Sequence, residues 1–156
     1  MLKDAECIAS VLHASFVEFE SLYTSDGFAA TTPTSDQIRE RWDEGPVWVA
    51  AQHGSIVGTV AAVPKSSGLY VRSMAVLPVA RGQGIAGQLL QEIESFASSH
   101  YHGRLFLTTT PFLHEAIRLY ERFGFERDDE GAHDLFGTPL FTMVKQLEAA
   151  GGISKV

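Results

Sequence analysis

Between residues 79 and 90 the chain reads VARGQGIAGQLL, with glycines at 82, 84 and 87. No other stretch constrains the fold as tightly. Glycine reaches left-handed backbone conformations and lets other atoms approach the chain without a Cβ in the way. A helix that starts at such a loop presents several unpaired amide N–H groups and the positive end of its dipole. Strand, glycine loop and helix N-terminus together make a site for an anion, a pyrophosphate above all.

The flanks supply the strand and the helix. Val47–Gln52 and Ser55–Val63 are β-rich runs joined at His53-Gly54, a hairpin signal, and Leu69–Val76 is a third run beyond the turn at Pro64–Gly68. An antiparallel meander is expected here. After the loop, Ile85, Leu89, Ile93, Phe96 and Ala97 share one helical face, and the pattern stops near His100–Gly103. Arg104–Thr109 then reads as a strand, Phe112–Phe123 as a helix closed by Gly124, and Pro139–Leu147 as a last strand. Upstream, Ala5, Ile8, Ala9, Leu12, Phe16 and Phe19 predict a helix over 5–22 with Asp4 as its cap. Residues 24–34 read as loop, and a short helix follows from about 35 to Trp42. The sum is a mixed α/β (α+β) domain whose first half is antiparallel. It is expected to span 1–148 as one domain, followed by a flexible tail, 149–156.

G-x-G-x-x-G admits two pyrophosphates. A dinucleotide unit places its first glycine directly after a strand and an acidic residue about 20 positions on, at the end of the next strand. Here Leu77–Arg81 intervene, and the next strand, RLFLTTT, ends in threonines. The other reading is R-x-x-G-x-A, from Arg81 to Ala86. The run MAVLPVARGQGIAGQLL resembles motif A of the GNAT acyltransferase superfamily, V-x-P-x-x-R-G-x-G-x-G/A. A second stretch, HEAIRLYERFGF (114–125), resembles that superfamily's motif B, A-x-x-L-Y-x-x-x-G-F.

The resemblance implies a GNAT-like mixed sheet with two central parallel strands, Leu69–Val76 and Arg104–Thr109, that splay apart around acetyl-coenzyme A as co-substrate. It implies that Arg81, Gly82, Gln83, Gly84, Ile85, Ala86 and Gly87 grip the pyrophosphate. Met74, Ala75 and Val76 would bond the pantetheine arm as a pseudo-strand, and an N–H near Ala75 or Val76 would polarise the thioester carbonyl. Tyr120 matches the family tyrosine that protonates the leaving thiolate; on position alone it is equally a core aromatic. The acceptor would be a primary amine of a small molecule or protein. Many relatives carry a glutamate in the strand before motif A, where this chain has Tyr70 and Arg72, so the base stays open among Glu18, Glu20, Asp128, Asp129 and water. Where relatives carry asparagine this chain has Leu113; Thr108–Thr110 and His114 are nearby substitutes. Those two departures leave a non-catalytic acyl-coenzyme A-binding module as the alternative.

Composition narrows the partners. A net charge of −7 disfavours nucleic acid as the main ligand. One cysteine, Cys7, excludes an intrachain disulfide, and no segment has the length and apolarity of a membrane span. No signal-peptide pattern opens the chain, so the cytoplasm is the expected compartment. His100-x-His102 is better read as complementing a helix end than as a metal site, and no metal is expected. Phe16, Phe19 and Tyr23, with Glu18 and Glu20, form either an amphipathic face or an aromatic acceptor patch. The sequence does not fix the oligomeric state; a homodimer is the commonest soluble assembly.

Overall fold

A computed structural model describes residues 2–100, 102–131 and 133–147; the tail expected at 149–156 lies outside the described residues. In chain order the elements are α1 (Leu2–Phe16), a 3₁₀ turn (Val17–Leu22), α2 (Ser25–Thr31), α3 (Ser35–Glu40), β1 (Val47–Gln52), β2 (Ser55–Lys65) and β3 (Gly68–Val76). A 3₁₀ turn at Pro78–Ala80 leads to α4 (Ile85–Ser99), β4 (Arg104–Thr109), α5 (His114–Arg122), β5 (Glu126–Asp128), β6 (Asp134–Leu135), β7 (Thr138–Pro139) and β8 (Phe141–Gln146). One mixed sheet has the order β1-β2-β3-β4-β8-β5, and β6-β7 form a separate small hairpin.

The meander forms as expected, with β1, β2 and β3 antiparallel in turn. β2 runs on through Pro64, which pairs with Leu69. That proline lies past the last β1 pairing, Val47 with Ala61, so it interrupts no ladder on that side. β3 and β4 are the parallel pair, and they pair only at Leu69–Leu105 and Tyr70–Phe106. Beyond Tyr70 the two strands diverge. β4 remains zipped to β8 along its whole length, from Arg104–Gln146 to Thr109–Phe141, so it is β3 that loses its neighbour.

The larger core cluster joins Val60, Leu69, Val71, Leu89, Leu90, Ile93, Leu105 and Met143, packing α4 and α5 against the sheet. The second joins Ala5, Ile8, Val11 and Leu12 of α1 to Ile38 of α3 and Ala75 of β3. Fully burying a leucine or isoleucine contributes about 1.5–3 kcal/mol, and Leu12, Leu69, Leu90, Ile93 and Leu105 are each completely enclosed.

Three boundaries differ from the sequence reading. The first helix ends at Phe16 and tightens into a 3₁₀ turn through Leu22. The expected loop at 24–34 contains α2, whose N-cap Thr24 accepts from the Gly27 amide at 3.0 Å. Thr24 is itself fastened to the distant hairpin, its amide donating to Thr138 Oγ1 at 2.9 Å and its hydroxyl to the Phe136 carbonyl at 2.8 Å. The helix expected from Phe112 starts at His114, because Leu113 offers no side-chain cap and its amide closes a turn onto the Thr110 carbonyl.

Candidate active site

The divergence of β3 from β4 opens a cavity of about 580 Å³. Among its lining residues are Met74, Ala75, Val76, Arg81, Gly82, Gly84, Ile85, Ala86, Gly87 and Tyr120, together with Leu119, Ala116 and Leu113. Of the residues expected to hold the cofactor, Gln83 alone is missing from that wall. Its Oε1 instead accepts from Gln52 Nε2, fastening the loop to the end of β1.

One edge is the start of α4. Gly84 caps the helix at φ +79°, and Gly82 stands at φ +80°, both in the left-handed region that favours glycine. A Cβ built on Gly82, Gly84 or Gly87 would meet no protein atom within 4 Å. No side chain caps the helix. The first-turn amides therefore have neither a capping oxygen nor steric cover, which fits a diphosphate.

The opposing backbone is the free end of β3, and its geometry is not visible in the alternation of the sequence. The β2–β3 register pairs Thr59 with Ala75 but Ala61 with Arg72, so β3 holds one extra residue. Ser73 takes it up at φ +54°. An extra residue reverses which way the following side chains point. Leu69 and Val71 face the α4–α5 core; past the bulge Met74 and Val76 turn to that core, while Ala75 joins the α1 cluster. Splay and bulge together leave the Met74–Val76 backbone unpaired toward β4.

Arg81 does not extend into open space. Its Nη1 meets Glu18 Oε1 at 2.7 Å, its Nη2 donates to the Ser15 carbonyl at 3.0 Å, and its Nε donates to the Val76 carbonyl at 3.3 Å. One guanidinium thus fastens the end of α1, the 3₁₀ turn and the end of β3. Both charged side chains are more than a third exposed, so the ion pair itself contributes under about 1 kcal/mol. Glu18 lies 63 residues away in sequence, and no local signal announces the pair.

Tyr120 lies on α5, 8% exposed, with its ring edge-on to Phe125 at 5.8 Å. Burial, and secondarily the Tyr23 phenol, push its phenol far above the usual tyrosine value, so it stays protonated at every physiological pH. Of the base candidates, Glu18 lines the cavity while Glu20, Asp128 and Asp129 do not. Asp128 serves its own turn, accepting from the Glu130 amide at 2.9 Å. His114 lines the cavity; Thr108, Thr109 and Thr110 do not.

The sequence reading did not place Phe112 in the site. Freed from α5, it lines the cavity with Phe16 and Phe19, stacks at a tilt on Phe19 at 6.1 Å and receives the edge of Tyr23 at 4.9 Å. Elsewhere, Trp48 packs edge-on against Phe96, and Trp42 is 38% exposed. His100 Nδ1 sits 2.9 Å from the Phe96 carbonyl at the end of α4. No cluster of metal-ligating side chains occurs among the described residues, nor is any described helix long and apolar enough to cross a membrane.

Comparison with known proteins gives these features a context. The model of the acetyltransferase (GNAT) family matches residues 16–125. The uncharacterized N-acetyltransferase YjgM of Escherichia coli strain K12 is 31% identical over 134 residues, covering 82% of this chain and 80% of that protein. Among solved structures, the ribosomal-protein-S18-alanine N-acetyltransferase of Escherichia coli superposes with a TM-score of 0.74 at 14% identity, over 99% of this chain and 94% of that one. A GNAT family acetyltransferase from Elizabethkingia anophelis with acetyl-CoA bound gives 0.62 at 22% identity, over 74% and 84%. At those identities the two structures speak for the fold alone.

Proposed function

The chain belongs to the acetyltransferase (GNAT) family, and from that premise we propose that it is an active N-acetyltransferase moving an acetyl group from acetyl-coenzyme A to a primary amine. The observation that carries this reading is the coincidence of an uncapped, glycine-cleared helix start with the free edge of β3 on one cavity. The amides of residues 82–87 hold the diphosphate. The backbone of Met74–Val76 hydrogen-bonds the amide-rich pantetheine arm in place of the missing strand, and an N–H of Ala75 or Val76 stabilises charge on the thioester oxygen. Since the Arg81 guanidinium is occupied by Glu18, Ser15 and Val76, that residue shapes the loop and joins it to α1.

Acetyl-coenzyme A supplies the acetyl group and the thiolate leaving group. The amine nitrogen forms its bond to the carbonyl carbon as the C–S bond breaks, and the proton shed by nitrogen balances the one taken up by sulfur. Tyr120, held protonated by burial, is the donor to sulfur. A cytoplasmic setting suits this chemistry.

Differential scanning fluorimetry with acetyl-coenzyme A against NAD tests the ligand: at a hundredfold over its dissociation constant the true ligand adds about 2.7 kcal/mol of stability. Thiol release over a panel of amines tests transfer. A second reading, a non-catalytic acyl-coenzyme A-binding module, is favoured by Leu113 and by a β3 without a carboxylate. Tight coenzyme binding with no turnover on any amine is the result that selects it.

A further inference from the structure

We propose that the acceptor is a small primary amine carrying an aromatic body, received in a slot formed by Phe16, Phe19 and Phe112. This rests on the transferase reading above and names its acceptor class.

Three phenylalanines line the cavity from the end of α1, the 3₁₀ turn and the β4–α5 connection, and all three are partly exposed. Their arrangement is fixed from behind. Tyr23, itself buried, sets its edge on Phe112 at 4.9 Å and 89°, and Phe28 meets Tyr23 at 5.9 Å and 63°. Phe19 lies tilted against Phe112 at 6.1 Å and 35°. The chain of rings is anchored at one end and open to the cavity at the other, and such a wall prefers another ring, offset or edge-on, to an alkyl or polar chain.

Charge points the same way. A free amino acid needs a cation for its carboxylate, and a polyamine needs carboxylates along its length. On the segments that carry the rings, the lining charges are Glu18 and, reaching across from the loop, Arg81, and they are spent on each other. Every nitrogen of the Arg81 guanidinium has a protein acceptor. The other charged or titratable lining groups, His114, Glu115, Tyr120 and Arg122, all belong to α5.

The apolar wall also bears on the base that β3 lacks. Desolvation disfavours an ammonium ion and lowers its pKa. An arylalkylamine entering between rings sheds its first proton to water on the way in and arrives as the neutral nucleophile; the second, released from nitrogen as the C–N bond forms, is the one that balances the proton taken up by sulfur.

The test is thiol release from acetyl-coenzyme A with 2-phenylethylamine, tryptamine, n-propylamine, spermidine and L-aspartate, for the unaltered chain and for Phe19→Ala, Phe112→Ala and the milder Phe19→Leu. Burying a ring is worth roughly a tenfold to hundredfold preference. The expected result is kcat/KM for the two arylalkylamines at least tenfold above propylamine, and well above spermidine and aspartate. In Phe19→Ala and Phe112→Ala the aryl-over-alkyl ratio should fall toward one, chiefly through KM, while the thermal shift with coenzyme A certifies a folded site. Preference for spermidine or aspartate overturns the proposal, and so does an aryl-over-alkyl ratio that the substitutions leave intact. Should no amine release thiol, the transferase reading itself falls. Calorimetric titration of 2-phenylethylamine into coenzyme A-loaded protein then still judges the slot: saturable binding weakened by Phe19→Leu supports it, and no binding sinks it.

Discussion

The two ends of the cavity are built by different means. The end at α4 is made of backbone: left-handed Gly82 and Gly84, uncapped amides, and a bulged strand with its edge free. The end at α1 is made of side chains: three phenylalanines braced by Tyr23 and Phe28. A backbone site tolerates changes of side chain and forbids changes of conformation. A side-chain site does the reverse. The contrast teaches where specificity resides, because every acyl-coenzyme A presents the same diphosphate while acceptors differ in their bodies.

The sharpest break of this contrast is Gly84→Val, which puts a branched residue at φ +79° and a Cβ into the cradle. Losing two amide contacts to a charged phosphate costs about 4 kcal/mol, roughly a thousandfold in affinity for acetyl-coenzyme A, against a fold penalty of only about 1–2 kcal/mol. Isothermal titration beside a thermal melt separates the two, and unchanged affinity would remove the loop from the site.

Tyr120→Phe comes next. Turnover should fall about a hundredfold, with coenzyme affinity held. Because burial raises the phenol's pKa, the unaltered enzyme should show no alkaline fall in kcat assignable to this residue below about pH 10. The stability that goes with that raised pKa is fully present at neutral pH. It is lost as pH climbs past the unfolded value of about 10 toward the folded one, so alkaline unfolding should begin later in Tyr120→Phe. Turnover undiminished in Tyr120→Phe would strike the residue from the mechanism.

Between the two ends stands Arg81. Arg81→Gln should cost about 1 kcal/mol or less in stability, since the ion pair is half in solvent. It should raise the acceptor KM more than the coenzyme KM, because two of its three fastenings run to the α1 side. Steady-state kinetics with each substrate varied decides it; equal changes would mean that the seam serves neither end in particular.

The smallest effect is expected from Gly87→Ala. Gly87 lies inside α4 with open space where its Cβ would stand and no left-handed φ to satisfy. Alanine should add up to about 0.8 kcal/mol of helix stability while keeping the amide, which a thermal melt can read. Loss of coenzyme affinity in that variant would show that the space over Gly87, and not its amide alone, is needed by the ligand.

What the sequence disclosed follows the same division. The backbone end is written locally: a strand run, a proline, an arginine and spaced glycines lie within 14 residues, 74–87, and motif and geometry coincide there. The meander was legible because its β-rich runs are punctuated by turn signals at His53-Gly54 and Pro64–Gly68. Alternation failed at Ser73, where one inserted residue reverses the faces of Met74, Ala75 and Val76, and no residue type there marks a bulge. The side-chain end was half legible. Phe16 and Phe19 could be read as a patch, but Phe112 looked like the first inward residue of a helix, because periodicity carries across a turn it cannot see. α2 was hidden by Gly27 and Pro33, whose local cost is offset by hydrogen bonds from Thr24 to a hairpin more than a hundred residues away. The pairing of Arg81 with Glu18 belongs to the same class.

That guanidinium has a consequence for how such a chain can diversify. A natural route to a new acceptor is to exchange the N-terminal segment as a cassette and leave the rest alone. Here the cassette is keyed: it must return a carbonyl at Ser15 and a carboxylate three positions later to the same three-dimensional spot, or the Arg81 guanidinium loses two of its three acceptors and keeps only the Val76 carbonyl. Grafts that respect that spacing keep the guanidinium seated, and those that shift it by a single residue must supply it with other acceptors.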